Sequence, residues 1–212
     1  MNSYLILLLV AFLFILLFGG LSLLRREGLS NQFAMEVLAL TALALLVSWG
    51  TGVPLHPLLF LTLIYLISMR SRLLVDLANF FLMRGNQGAA EYLYRLALRL
   101  APDRATRLIV LINYGVLHLR RGNLAEAITT LRKVLAAESQ GHLGLKYEAA
   151  CRYNLALAYR RAGEEAKAIC EFNEVIRLLP TSPYAREAEV ALERGRKKKA
   201  GSDEAPGPFP NP

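Results

Sequence analysis

The sequence predicts an all-α chain in which N-terminal transmembrane helices are followed by an α-solenoid of three helical hairpins and a C-terminal capping helix. Three observations carry that reading. The first 69 residues are nearly uncharged and dominated by Leu, Ile, Val and Phe. From Ser71 to Pro183 one pattern of small and large residues occurs three times, in nearly constant phase about Gly85, Gly122 and Gly163. Proline ends two of these three units, at Pro102 and Pro180, because it cannot continue a helix.

Within the apolar third, Tyr4 to Leu24 is 21 residues whose only ionisable group is the tyrosine phenol, and 16 of them are Leu, Ile, Val or Phe. A helix of that length spans a hydrocarbon core roughly 30 Å thick. No basic residue precedes it and no small-x-small site follows, so it reads as an uncleaved anchor. Phe33 to Trp49 and Val53 to Met69 are two further spans of 17 residues, the lower limit for crossing. Glu36 lies near the end of its span, at headgroup level, and so avoids the roughly 2.5–3.5 kcal/mol cost of a bilayer-centre charge. The uncharged run Gly50 to Pro57 is turn chemistry, which makes spans two and three a hairpin with Trp49 and His56 at the interface.

Orientation follows from the basic residues: Arg25 and Arg26 flank span one, Arg70 and Arg72 follow span three, and the opposite ends carry none. The positive-inside rule then places the N-terminus outside and the remainder in the cytoplasm, as expected for a multi-pass protein of the cell (inner) membrane. A re-entrant hairpin for spans two and three leaves the repeats on the same side. Span three either continues directly into the first repeat helix or kinks at Met69-Arg70-Ser71.

In the repeats, the residue five places after each glycine is Ala90, Ala127 and Ala168; nine after, Tyr94, Leu131 and Phe172; twelve after, Ala97, Val134 and Val175. Seven places before lie Ala78, Gly115 and Ala156. A helix that ends at a glycine able to take positive φ, then a second helix, gives a hairpin, and the small residues mark where the two axes come closest. One hairpin cannot bury its apolar face, so units must stack. The units fall at about 71–104, 108–141 and 149–182. Ser182 and Pro183 open the capping helix, 184–199, with a basic end from Arg194 to Lys199, and residues 200–212 are a proline-rich tail expected to be disordered.

The third unit, with Tyr153-Asn154-Leu155-Ala156-Leu157-Ala158-Tyr159, Gly163, Ala168-Ile169, Phe172 and Pro180, resembles the tetratricopeptide repeat family. His118 and Ser139 depart from it, and the glycine spacings of 37 and 41 exceed its repeat of about 34 residues. The extra residues are expected either to lengthen the helices or to form the loop Ser139-Gln140-Gly141-His142. The resemblance implies a superhelix with a groove that binds other proteins. Carried over, its groove residues are Arg72, Val75, Asn79, Leu82 and Met83 in the first unit; Ile109, Ile112, Asn113, Val116, Leu119 and Arg120 in the second; and Ala150, Tyr153, Asn154, Leu157, Arg160 and Arg161 in the third. Such a groove, apolar near the membrane and basic at the far end, suits a peptide with apolar anchors and an acidic group or free carboxylate. Its apolar stripe could equally pack on the chain's own membrane helices.

The net charge of +8 lies wholly beyond residue 69, where 23 Lys and Arg face 15 Asp and Glu. Anionic lipid headgroups are the expected counterpart; no aromatic-plus-basic nucleic-acid module is present. There is no phosphate loop, nucleophile elbow or metal-ligand spacing, so no catalytic residues, metal or cofactors are expected. Cys151 and Cys170 are offset along their helices and are expected to stay reduced. The composite expectation is a membrane-anchored scaffold or adaptor. An assembly chaperone for a membrane complex, or a regulatory part of a membrane enzyme or transporter, is the alternative.

Overall fold

The computed structural model describes residues 3–24, 31–100, 102–138 and 144–203. Among these it has ten helices and no strand: α1 Ser3–Leu24, α2 Asn31–Thr51, α3 Pro57–Ser68, α4 Arg70–Met83, α5 Gln87–Arg99, α6 Arg104–Arg121, α7 Leu124–Glu138, α8 Leu145–Arg161, α9 Glu165–Leu178 and α10 Pro183–Asp203. Arg25, Arg26, the loop Ser139 to His142 and the tail beyond Asp203 lie outside the described residues.

Helices α1 to α3 form an apolar bundle around Leu7, Ala11, Phe14, Val37, Phe60 and Ile64. Phe33–Thr51 is long and apolar enough to cross a membrane; Tyr4–Gly20 is a shorter apolar stretch. The third span differs from expectation, because its helix begins at Pro57 and has 12 residues. That is about 18 Å, short of the hydrocarbon thickness. Val53 and His56 each precede a proline, whose ring disfavours helical backbone at the residue before it. His56 is accordingly extended and caps α3, its Nδ1 accepting from the Leu58 amide at 3.3 Å. Ser48 Oγ accepts from the Leu55 amide and ties the turn back to α2.

Between α3 and α4 the axis bends by 66°, which decides for the kink over the straight rod. The bend coincides with Arg70, whose guanidinium takes the carbonyl of Ile67 at 2.7 Å. The same group makes a two-pronged ion pair with Glu36 of α2, at 2.7 and 2.9 Å, and donates to the carbonyl of Leu100 just past α5. One side chain thus links the bundle, the bend and the first hairpin.

The three hairpins are α4–α5, α6–α7 and α8–α9. Gly85, Gly122 and Gly163 have φ of 81°, 82° and 80°. Each turn is the same double closure: the residue after the glycine donates to the carbonyl five residues back, and the glycine to the one three back. This is the Schellman arrangement, and it requires the left-handed residue that glycine supplies without strain. Ala78, Ala90, Ala97, Ala127, Val134, Ala156, Ala168 and Val175 are fully buried, as their phase predicts. The wider glycine spacings are partly absorbed in helix length, since α6 and α8 have 18 and 17 residues against 14 in α4.

Helix α10 closes the far end through Ala185, Ala188 and Ala191, with Ser182 Oγ accepting from the Ala185 amide at 3.0 Å. It continues past the expected end at Lys199 to Asp203. Cys151 is buried under α7, its thiol on the Leu131 carbonyl, and Cys170 is exposed.

The second unit has Gly115 where its neighbours have alanine, and Leu131 where they have Tyr94 and Phe172. The two departures compensate: a Cβ at Gly115 would come within 2.8 Å of Leu131 Cγ, because a leucine branches where a ring lies flat. Gly115→Ala gains about 1 kcal/mol of helix propensity but overpacks a full core, a cost of about 1–3 kcal/mol. It should therefore lower the unfolding free energy read from a denaturant titration by about 1 kcal/mol, the mid-range difference of the two effects. A variant as stable as the parent would show that Leu131 yields freely. For the junction, Arg70→Ala leaves the Glu36 carboxylate and the Leu100 carbonyl short of a donor, which should cost about 1–3 kcal/mol at this half-buried site. Amide exchange at residues 67–72 should speed up in the variant, while exchange in α8 and α9 stays as in the parent.

Candidate functional site

The first helices of the three hairpins, α4, α6 and α8, stand side by side, and each ends at its glycine with carbonyls that have no partner in their own helix. Arginines from the following unit add a second donor to two of these carbonyls, which already accept from their turn glycines. Arg120, two before Gly122, donates to the carbonyl of Leu82, three before Gly85, at 3.3 Å. Arg161, two before Gly163, does the same for Leu119 at 3.0 Å. The contact repeats with the unit. Arg160 donates to the Ala191 carbonyl of α10 at 3.5 Å and lies over the Phe172 ring. Each of the three cations expected at the basic end of the groove thus fastens its helix to a neighbouring one.

The asparagines serve local backbone. Asn113 donates to the carbonyl of Ile109 at 2.9 Å and Asn154 to that of Ala150 at 2.8 Å, both four residues back in the same helix. Asn79 accepts the phenol of Tyr94 at 2.5 Å. Burial pushes the Tyr94 hydroxyl up to about 12, so it stays a donor throughout the neutral range.

Of the apolar groove positions, Val75, Leu82, Ile112 and Leu119 are 4–5% exposed and belong to the packed cores between helices, and Ala150 is 7% exposed, so they offer no surface to a ligand. The reason is rotation about the helix axis: these residues lie on the side facing the second helix or the adjoining unit. Val116 and Leu157 are half-buried and remain on the row of first helices. Tyr153 is half-buried between the Phe172 and Tyr184 rings, at 5.9 and 5.8 Å, and its phenol is raised by that burial.

A second set of charges joins helices both between and within units. Arg121 of α6 reaches back to α5, pairing with Glu91 at 2.5 Å and donating to the Gln87 carbonyl. Arg152 of α8 bridges Glu148 and Glu171 of its own hairpin. The spacings Glu91–Arg95 and Glu148–Arg152 are four-residue helical pairs and legible as such; the partners on other helices are not. His118, at the position where the other units have Phe81 and Tyr159, meets Tyr114 edge-on at 4.7 Å.

With the hairpins, their glycine turns and their recurring contacts in view, comparison with known families is decisive for one part of the chain. Residues 106–181 match the tetratricopeptide repeat family. The match covers the second and third hairpins; the first repeats their geometry outside it. No curated protein matches the chain. Tetratricopeptide repeats typically have no catalysis of their own, and among the described residues no group of three or more His, Cys, Asp or Glu could hold a metal ion.

The Arg121 guanidinium holds the Glu91 carboxyl below the usual carboxylate range. A depressed folded-state value means that the pair's stabilisation is present above that range and lost as the carboxylate protonates. Replacing Glu91 by Gln should therefore cost no more than about 1 kcal/mol near neutral pH, as the site is near the surface. The gap between the thermal midpoints of parent and variant should close as the pH falls below about 4. A gap that stayed constant with pH would assign the effect to packing.

Proposed function

We propose that this chain is a membrane-anchored adaptor that holds another protein on its tetratricopeptide repeats. The observation that carries the reading is the union of two unlike surfaces: a repeat array of a protein-binding family, and a helical bundle whose outside is as apolar as its inside. Leu5, Phe12, Leu17, Leu38, Leu46 and Leu58 expose between 54% and 67% of their surface. An apolar exterior of that extent is at odds with water and at ease in hydrocarbon. In this reading α1 and α2 cross the bilayer and α3 returns the chain to the side where α2 begins, consistent with the Glu36–Arg70 pair. The basic repeats lie on the cytoplasmic face, as the charge of the flanking residues favours.

The partner is a polypeptide that lies along the row of α4, α6 and α8, with apolar side chains against Val116 and Leu157 and an acidic group or free carboxylate near Arg120, Arg160 and Arg161. A guanidinium has five donors, so an arginine that satisfies one carbonyl still has N–H groups to direct at an anion.

Two experiments test this. Cys170 is exposed and Cys151 buried, so an impermeant maleimide should label the native chain through Cys170 in inverted vesicles but not in intact cells. Labelling of intact cells would put the repeats outside. For the partner, a photoreactive side chain at Val116 should capture a protein in native membranes, and the double change Arg160→Glu and Arg161→Glu should reduce that capture at least about tenfold. Undiminished capture would remove the acidic ligand while leaving an apolar one.

A further inference from the structure

The two ends of the repeat array are finished differently. At the far end α10 turns a charged face outward, with Arg186, Glu187, Glu189, Glu193, Arg194 and Arg196 exposed. That is the ordinary termination of a stack, since a terminal unit has no neighbour to cover it. The near end has no such cap. In the second unit the residues twelve, eight and five before the glycine are Val110, Tyr114 and Leu117, which pack on the hairpin before them: Val110 and Leu117 are fully buried with Ala90, Tyr94 and Ala97, and Tyr114 lies edge-on to Tyr94. In the third unit Cys151, Leu155 and Ala158 are likewise buried against its predecessor. In the first unit these positions are Leu73, Leu77 and Phe80, exposed by 38%, 44% and 45%. Helix α3 does not cover them, because it leaves at 66° and buries Phe60 and Ile64 in the bundle instead.

We infer that this outer face of α4 rests in the interfacial layer of the lipid bilayer that holds α1 to α3. The inference builds on the membrane anchoring proposed above and adds where the array lies. Three features favour lipid over protein. The three side chains present on the order of 200 Å² of apolar surface, well under the roughly 800 Å² per partner of a stable protein interface. For a helix already tethered to the bilayer a small patch suffices, because docking is then intramolecular. The stripe also begins one turn after α3, whose Leu59, Leu63 and Leu66 are exposed in the same way, so apolar surface continues across the bend. Finally, the 66° bend carries α4 closer to the membrane plane than to the normal if α3 stands upright, and Arg84 stacks on Phe80 at the end of the stripe. A helix with an apolar face and basic residues at its edge is the form that lies in a headgroup layer.

The test uses the full-length chain with Cys170→Ser, reconstituted in phosphatidylcholine and phosphatidylglycerol vesicles and labelled with an environment-sensitive fluorophore at one new cysteine. Leu73→Cys and Leu77→Cys probe the stripe, Glu189→Cys probes the exposed face of α10 at the far end of the array, and Leu13→Cys probes the outside of α1 at mid-span. Lipids brominated near the headgroup end of their chains should cut emission at least about twofold at positions 73 and 77 but not at 189, and lipids brominated near the chain terminus should do the same at 13. Adding Leu77→Glu to the Leu73→Cys chain should abolish quenching at 73 and leave it at 13. Quenching at 13 with positions 73 and 77 behaving like 189 overturns this inference and leaves the anchoring intact. Blue-shifted but unquenched emission at 73 and 77 would also overturn it, by showing a protein cover such as a second copy. No quenching at 13 overturns the anchoring and this inference together.

Discussion

Two helices can share a core only as closely as their facing side chains allow, and in this chain that spacing is set by alanine and glycine. Where Ala78 meets Ala90 and Ala97, or Ala156 meets Ala168, single methyl groups let the axes close and leave room for one ring, Tyr94 or Phe172, to fill the wedge. The middle hairpin keeps the same spacing with different parts, a bare glycine under a branched leucine. Everything else about the array follows from repeating this contact: the turn must be tight enough to return the chain at once, which the three left-handed glycines permit, and each hairpin must find a neighbour for its remaining apolar side.

Arginine reinforces the stacking. At the ends of α4 and α6 the carbonyls of Leu82 and Leu119 accept from their turn glycines; Arg120 and Arg161 reach back one unit to add a second donor, so the inter-unit contact is directional as well as apolar. Arg70 performs a related task at the junction with the bundle. Its planar fork satisfies a carboxylate with two bonds while its remaining N–H groups take the carbonyls of Ile67 and Leu100. Lysine has a point charge and could not hold three elements in fixed relation. The carboxylate that is awkward in an apolar helix and the cation that follows the last apolar segment thus explain each other.

The same contacts constrain function. Arg120, Arg160 and Arg161 fasten neighbouring helices, so in the proposed function the geometry of a bound anion is tied to the spacing of the units. Asn113 and Asn154 are committed to their own helices, Asn79 to Tyr94 of α5, and Leu82 and Ile112 to the core. What remains open to a partner is a narrow strip of half-buried aliphatic residues edged by arginine, with the apolar bundle of α1 to α3 at one end and α10 at the other.

Much of this was legible in the order of residues, because hairpins, turns and caps are short-range and their signals recur at fixed phase. The glycines, the buried alanines and the Ser182 cap needed nothing beyond spacing. The apolar character of the first third was equally plain, although the prolines at 54 and 57 shorten its last helix more than hydropathy alone suggests. Rotation and distance were not legible. Whether Leu82 turns to the groove or to the core, which carbonyl Arg161 meets, and that Glu36 finds Arg70 across 34 residues depend on how helices sit against one another. The sequence by itself determined the repeat, its turns and the division into apolar and basic halves, since those are properties of neighbours along the chain. Only the tertiary structure decided the bend after α3, the arginine contacts between units and the uncovered face of α4, since each is a relation between surfaces that local preference does not specify.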